Sequence, residues 1–195
     1  MTIGYNSQRD NFSFAGKFSA WSQCFSTSAW MFLSYYVKNC IAEDDKGLAQ
    51  YVDDVEAQVG TAGIAERVMR KFAWITGFTS LWWLVHKEAL EERIRATGRK
   101  GQIIFRESNG TWDELYKVTE TGPAIVATHK LGGLPGGHII LSVAPGFYHD
   151  PFGNAATGYA DTNGANVNYP NSNEMKRAFE VAGPGKLRYM FWQDG

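Results

Sequence analysis

The chain of 195 residues carries a formal net charge of −1 and is 44% hydrophobic. This length suits one domain with a sizeable core, and so small a net charge favours neither nucleic acid nor an anionic membrane surface as a partner. No run of residues approaches the roughly 18 to 20 apolar residues of a membrane span, and residues 1–10 lack the apolar core of a signal peptide. We therefore expect cytoplasmic synthesis without a signal peptide.

The first half of the sequence is dominated by helical periodicity. Residues 1–20 are polar and predict an extended arm, whereas the apolar segment 24–40 predicts a buried central helix. Further helices are expected between punctuating glycines, at 44–59, 64–75 and 81–97. A continuous helix would hold Cys24 and Cys40 roughly 24 Å apart, which is too far for a disulfide. We expect two free thiols, with Cys40 acting as a small buried apolar side chain.

After residue 100 the pattern changes to short strands. A short helix is predicted at 111–115, where Thr111 caps the first turn and Glu114 follows three residues later. Strands are predicted at 102–105, 124–128, 138–144, 147–150 and 187–192, with a shorter one near 165–169 in a long Gly- and Asn-rich loop, and a helix at 175–181. Helices first and an antiparallel sheet second predict an α+β fold in a single domain, with a helical part at 43–100 and a sheet part at 102–195.

Cys24 lies where a loop gives way to the central helix. A side chain in the first turn of a helix faces backbone N–H groups that have no helical acceptor and the positive end of the helix dipole, and both stabilise negative charge. The thiolate is the nucleophilic form of cysteine. His138 begins a later predicted strand after two glycines, and Asp150 ends the next strand. A Cys at a helix start, a His on a strand and an Asp at a strand end follow the chain order of a papain-like nucleophilic site.

Other residues compete for these roles. His86 lies in a helical pattern among Trp and Leu and is expected to be structural, His149 would point to the opposite face of a regular strand, and His129 could line the cleft. The alternatives to Asp150 as the third member are Asn154 and Asp161. The two cysteines and four histidines lack zinc-ligand spacing, and no Gly-rich phosphate loop precedes a helix, so we expect neither a metal nor a cofactor.

Several short motifs occur in a fixed order along the chain. They are YNSQRDN at 5–11, CFSTSAWMFLSYY at 24–36, TWDEL at 111–115, GPAIV at 122–126, GHII at 137–140 and HDPFG at 149–153. In this order they resemble the bacteriocin-leader-peptidase-like cysteine peptidases of the papain-like superfamily. The resemblance covers residues 5–42 and 102–153 well, and the remainder only loosely. It implies a papain-like fold in which the Cys-bearing helix packs on an antiparallel β-sheet.

The resemblance also implies roles for individual residues. Cys24 becomes the nucleophile, His138 the base and Asp150 the orienting acid in the hydrolysis of a peptide or amide bond. Gln8 becomes the side-chain donor of the oxyanion hole, with Gln23 as its rival because it adjoins the nucleophile. An oxyanion hole of this kind combines such a donor with the backbone N–H of the Cys.

One departure from the family pattern bears on the substrate. The transporter-linked members carry a Gln close before the Cys and a Gly after it, whereas Gln8 lies 16 residues upstream of Cys24 and Phe25 follows the Cys. This departure argues against bacteriocin leader processing and favours the stand-alone branch, which includes phage and bacterial cell-wall hydrolases.

The expected function is therefore that of an endolysin-like lytic endopeptidase. It would act as a monomer on the peptide stems or cross-links of peptidoglycan, and a holin-like release would carry it to the cell wall. Two alternatives stay open. One is a cysteine peptidase or acyltransferase that acts on a protein or a small amide, and the other is a non-enzymatic relative that binds a peptide in its groove.

Overall fold

The computed structural model describes residues 3–9, 23–61, 79–108, 112–128, 138–154, 157–168 and 187–195, and most of the helices in this part of the chain precede the strands. The four helices in these residues are α1 (Cys24–Tyr36), α2 (Asp45–Thr61), α3 (Thr79–Arg95) and α4 (Trp112–Thr119). The strands are β1 (Gly101–Ser108), β2 (Ala124–Thr128), β3 (His138–Ala144), β4 (Phe147–His149), β5 (Val167–Asn168) and β6 (Leu187–Asp194). Four predicted features lie outside the described residues: the helices at 64–75 and 175–181, the cap at Thr111 and the competing His129.

Helix α1 is the buried central helix that the apolar segment predicts. All of its residues except Ser34 and Tyr35 are buried. The helix ends at Tyr36 rather than at residue 40, so the predicted end is wrong. Val37 takes an extended backbone (φ −112°, ψ 107°) while its N–H still donates to the Leu33 carbonyl at 2.8 Å. The β-branched side chain of Val37 suits this extended conformation.

The strands form one antiparallel sheet in the order β1-β6-β2-β3-β4-β5. Strands β2 and β3 begin and end at the predicted residues, while β1 and β6 are longer than predicted and pair along their whole length. Strand β4 ends at His149, so Asp150 follows the strand instead of belonging to it. The sheet therefore delivers Asp150 on the loop at the end of β4.

Both faces of the sheet are covered. Successive residues of β3 point to opposite faces, so Ile139 and Leu141 join the core shared with the helices α1, α2 and α3, while Ile140 joins a smaller core beside α4. The hydroxyl of Ser28 in α1 donates to the Ile139 carbonyl at 3.2 Å and fixes α1 on β3. The architecture is α+β, as the sequence predicts, and it sets the start of α1 against the start of β3.

Both cysteines are free and buried, which confirms the prediction of two separate thiols. The Cys40 thiol donates to the Trp30 carbonyl at 3.8 Å. Burial, reinforced by the nearby charge of Asp44, raises the pKa of Cys40 to about 12, so this thiol is protonated at neutral pH. None of the described helices has both the length and the apolar character needed to cross a membrane.

Candidate active site

His138 and Asp150 meet at one end of the hairpin formed by β3 and β4. The antiparallel register pairs Leu141 with His149, so the beginning of β3 lies beside the residue that follows β4. His138 Nε2 lies 2.7 Å from Asp150 Oδ1. The two residues are 6% and 0% exposed, so the contact is shielded from solvent. The structure thus brings the predicted base and the predicted acid into direct contact.

Cys24 reaches the same histidine from the helical side. It is the first residue of α1, and its side chain hydrogen-bonds to that of His138. Because Nε2 of His138 is occupied by Asp150, we assign Nδ1 as the ring nitrogen that faces the thiol. Thiol, imidazole and carboxylate therefore stand in series, with the imidazole in the middle.

The electrostatics of His138 favour the imidazolium form. Burial by itself would lower the pKa of His138, because a charged ring is costly away from water. The charge and the hydrogen bond of Asp150, helped by Cys24, outweigh burial and raise the pKa of His138 from 6.5 to about 10. An imidazolium beside a cysteine is the setting in which a thiolate nucleophile is stable.

The loop after β4 holds the Asp150 carboxylate from several sides. The Phe152 N–H donates to Oδ1 at 2.9 Å, and the Tyr159 hydroxyl lies 3.4 Å from Oδ2. The Asp150 N–H donates to the Gly164 carbonyl at 2.9 Å, and a side chain at Gly164 would collide with the Asp150 carbonyl. This loop packs so closely against the backbone of Asp150 that only a glycine fits at residue 164.

Asn154 and Asp161, the two alternatives to Asp150 as the third member, form hydrogen bonds within the loop. The Asn154 N–H donates to the Asp161 carbonyl at 2.9 Å, which closes the turn that carries Tyr159. The Asp161 side chain is exposed and accepts from the Asn163 N–H at 2.9 Å. Asp150 is therefore the acid that the structure sets against His138.

Sequence reasoning did not single out Tyr159, and the only local signal for it is the preceding Gly158, which permits an unusual backbone turn.

His86 lies in the helical core. Its ring is stacked on Phe25 with centroids 4.0 Å apart, and its Nδ1 lies 2.7 Å from the Tyr51 hydroxyl. Burial lowers the pKa of His86 to about 3, so the ring is neutral at physiological pH. A neutral imidazole that accepts from a tyrosine and stacks on the residue next to Cys24 supports the packing of α1 on its neighbours.

His149 ties the N-terminal segment to the sheet. Its Nε2 donates to the Ile3 carbonyl at 3.0 Å, and the Asn166 N–H donates to its Nδ1 at 3.0 Å. These two bonds fix a neutral tautomer with the proton on Nε2. Burial lowers the pKa of His149, in keeping with a neutral ring.

Gln8 lies on the Asp150 side of the site. Residues 3–9 run along the loop after β4, where the Gln8 N–H donates to the Pro151 carbonyl at 2.8 Å and the Tyr5 hydroxyl donates to the Asp150 carbonyl at 3.0 Å. The Gln8 side chain is only 1% exposed. Gln8 is far from Asp150 in the sequence, but its backbone is hydrogen-bonded to Pro151, the residue that follows Asp150.

Gln23 lies on the Cys24 side of the site. It is the residue before α1, and its carbonyl accepts the first helical hydrogen bond, from the Thr27 N–H at 2.9 Å. Its buried side chain makes no capping hydrogen bond to the helix. Backbone contacts thus place Gln8 beside Pro151 and Gln23 directly before Cys24, and both keep a candidate role as the oxyanion donor.

Comparisons of this chain with protein-family models, curated proteins and solved structures find no match. Within the described residues, no group of three or more His, Cys, Asp and Glu side chains is arranged to hold a metal ion.

Proposed function

We propose that this protein is a papain-like cysteine peptidase in which Cys24 is the nucleophile, His138 the base and Asp150 the orienting acid. One observation carries the proposal. His138 hydrogen-bonds to Cys24 and also lies 2.7 Å from Asp150, in a buried site where the carboxylate raises the pKa of the histidine to about 10. A nucleophile next to a base that a third group orients is the arrangement that covalent catalysis requires.

The proposed reaction proceeds through a thioester. The Cys24 thiolate attacks the carbonyl carbon of the substrate, and the carbonyl oxygen becomes an oxyanion. As the C–N bond breaks, the His138 imidazolium gives its proton to the departing amine. A water molecule then attacks the thioester, and the neutral His138 takes up a proton from that water. The Cys24 sulfur leaves as the thiolate, which restores the starting pair.

The start of α1 provides donors for the oxyanion. Regular helical bonding begins with the Thr27 N–H, so the N–H groups of Cys24 to Ser26 precede the helical pattern. The Cys24 N–H is one proposed donor, and the Gln8 side-chain amide is the second. Donors that act on charge as it develops are worth roughly 10² to 10³ in rate each.

We further propose that the substrate is the peptide stem or cross-link of peptidoglycan. This part of the proposal is supported by the resemblance of the motifs to the stand-alone branch of the family, with its cell-wall hydrolases. The spacing of Gln8 from Cys24 and the Phe25 that follows the nucleophile favour this branch over leader-peptide processing.

Digestion of purified cell walls tests both parts. The wild-type protein should release new amino groups and no new reducing sugar ends, as a peptidase does. The variants Cys24→Ser and His138→Ala should fold and release nothing, whereas the matched variant Cys40→Ser should stay active. The assignment of the base fails if His129→Ala abolishes hydrolysis while His138→Ala does not.

The other outcomes separate the alternatives. Reducing ends without free amines would mean a glycosidase and would overturn the cysteine mechanism, since glycosidases normally work through paired carboxylates. Intact walls together with cleavage of a protein substrate would move the assignment to a peptidase of proteins. Intact walls, intact proteins and equal alkylation of Cys24 and Cys40 would indicate a binding relative without activity.

A further inference from the structure

Tyr159 has a backbone conformation that a bulky residue rarely adopts. Its φ is 67°, directly after Gly158 at 62°. A positive φ is unremarkable for glycine, but for a large L-residue it is an outlier that persists only where the surroundings enforce it. Such strain is concentrated at functional sites, so the contacts of Tyr159 are informative.

The backbone of Tyr159 is held from both sides of the loop. Its N–H donates to the Asn154 carbonyl at 2.9 Å, and its carbonyl accepts from Arg9 Nη2 at 3.3 Å. Arg9 also donates through Nε to the Phe152 carbonyl at 2.6 Å, and its guanidinium lies 4.3 Å from the centroid of the Phe152 ring. The N-terminal segment and the loop thus clamp Tyr159 in its strained conformation.

This conformation aims the side chain at the His–Asp pair. The Tyr159 ring is 8% exposed and meets the His138 ring edge to face, with centroids 6.5 Å apart. Its hydroxyl lies 3.4 Å from Asp150 Oδ2, while Oδ1 receives His138 Nε2 and the Phe152 N–H. The distance of 3.4 Å is long for an O–H···O bond, and hydrogen bonds of catalytic groups often tighten when substrate binds.

We propose that Tyr159 is a positioning residue for the Cys24–His138–Asp150 site. Its hydroxyl donates to Asp150 Oδ2, so that the carboxylate is held at both oxygens and cannot rotate away from His138. The strained backbone is what places the hydroxyl there. This inference rests on the proposed function, because positioning of His138 matters only if the histidine transfers protons.

The test compares two variants that each remove one hydroxyl. Tyr159→Phe removes the donor to Asp150 and keeps the ring. Tyr148→Phe makes the same chemical change in the same apolar cluster, where the hydroxyl interacts with Tyr116 instead of Asp150. Tyr159→Phe should lower kcat for wall hydrolysis about tenfold and leave KM unchanged, because the orientation of His138 affects proton transfer and not substrate binding. Tyr148→Phe should leave both constants unchanged.

A measurement that needs no substrate accompanies the kinetics. In ¹⁵N-labelled protein, the His138 Nε2–H proton should exchange with water faster in Tyr159→Phe than in the wild type, because the carboxylate that accepts it is less firmly held.

A wild-type protein that hydrolyses walls while Tyr159→Phe keeps normal kinetics and exchange would overturn the role of Tyr159 and leave the proposed function standing. The same change in Tyr148→Phe would also overturn it, since general packing would then be the cause. A wild-type protein without hydrolysis would refute the proposed function, and the exchange rates would still show whether Tyr159 holds the His–Asp pair.

Discussion

Replacing Asp150 with Asn removes the charge beside His138 and keeps a side chain of nearly the same shape. The protein contains its own reference for the result. His86 is also buried but contacts a tyrosine hydroxyl instead of a carboxylate, and burial lowers its pKa to about 3, whereas the pKa of His138 is raised to about 10. Without the carboxylate, the pKa of His138 should fall below 7, because burial is then opposed only by the smaller contribution of Cys24.

The size of the effect follows from the two pKa values. A pKa of about 10 in place of 6.5 means that the site favours the imidazolium over the neutral ring on the order of 10³-fold more than water does. If burial then lowers the pKa of His138 to about 3, as it does for His86, only about one ring in 10⁴ carries the proton at pH 7, so hydrolysis should fall by roughly 10² or more in Asp150→Asn. His138→Ala should abolish turnover, because no group would remain to take up and return the proton.

The assay is the rate of Cys24 alkylation by iodoacetamide between pH 5 and 9, in a Cys40→Ala background. The wild-type protein should react rapidly at pH 6, and Asp150→Asn should react there only as slowly as an ordinary thiol. Asp161→Asn is the matched control, since this exposed carboxylate in the same loop accepts from the Asn163 N–H. Superimposable profiles of Asp150→Asn and wild type would refute the reasoning.

Three further predictions concern single side chains. Below pH 7, Cys24 should be alkylated faster than Cys40, because burial raises the pKa of Cys40 to about 12. Peptide mapping after partial labelling measures the two alkylation rates, and equal labelling of the two thiols would contradict the prediction. Gln8→Ala should lower kcat by about 10² to 10³ with little change in KM, and Gln23→Ala should be mild; the reverse order in steady-state kinetics would transfer the oxyanion role to Gln23. Acid should destabilise the fold, because burial lowers the pKa of His86 to about 3 in the folded protein. Between pH 6.5 and 3, His86 therefore binds a proton in the unfolded chain but stays neutral in the folded chain. The stability that neutral His86 contributes is fully present above pH 6.5 and falls by about 1.4 kcal/mol per pH unit below it. Urea unfolding at pH 7 and pH 5 should therefore show a smaller pH dependence in His86→Phe than in wild type, and an equal dependence would count against this account.

Local patterns in the sequence were sufficient for the elements that carry the site. The β-branched runs of β2 and β3 lie between glycines and prolines, and the strands occupy the predicted residues. The end of α1 was predicted wrongly, because the apolar pattern continues past Val37 although the backbone becomes extended there. The order of the strands in the sheet could not be predicted from the sequence, because the insertion of β6 between β1 and β2 depends on packing between distant segments.

The site itself divides in the same way. His138 and Asp150 could be paired in advance, because neighbouring antiparallel strands bring the start of one beside the end of the next. Tyr159 could not be found, because its position follows from a positive φ and from contacts with Arg9 at the other end of the chain. The choice between Gln8 and Gln23 depends equally on where the N-terminal segment folds back.

The place of β6 between β1 and β2 imposes an order on folding. The hairpins that join β2, β3 and β4 are local and can close as soon as those residues are synthesised. Strand β6 comes last in the sequence, yet in the described sheet it is the link between β1 and β2. Pairing between such distant segments is slow, because the entropy of closing the intervening loop is lost before the contacts form. The nascent chain therefore carries an open edge on β2 until residues 187–194 emerge, and an unpaired strand edge of this kind can pair with another chain.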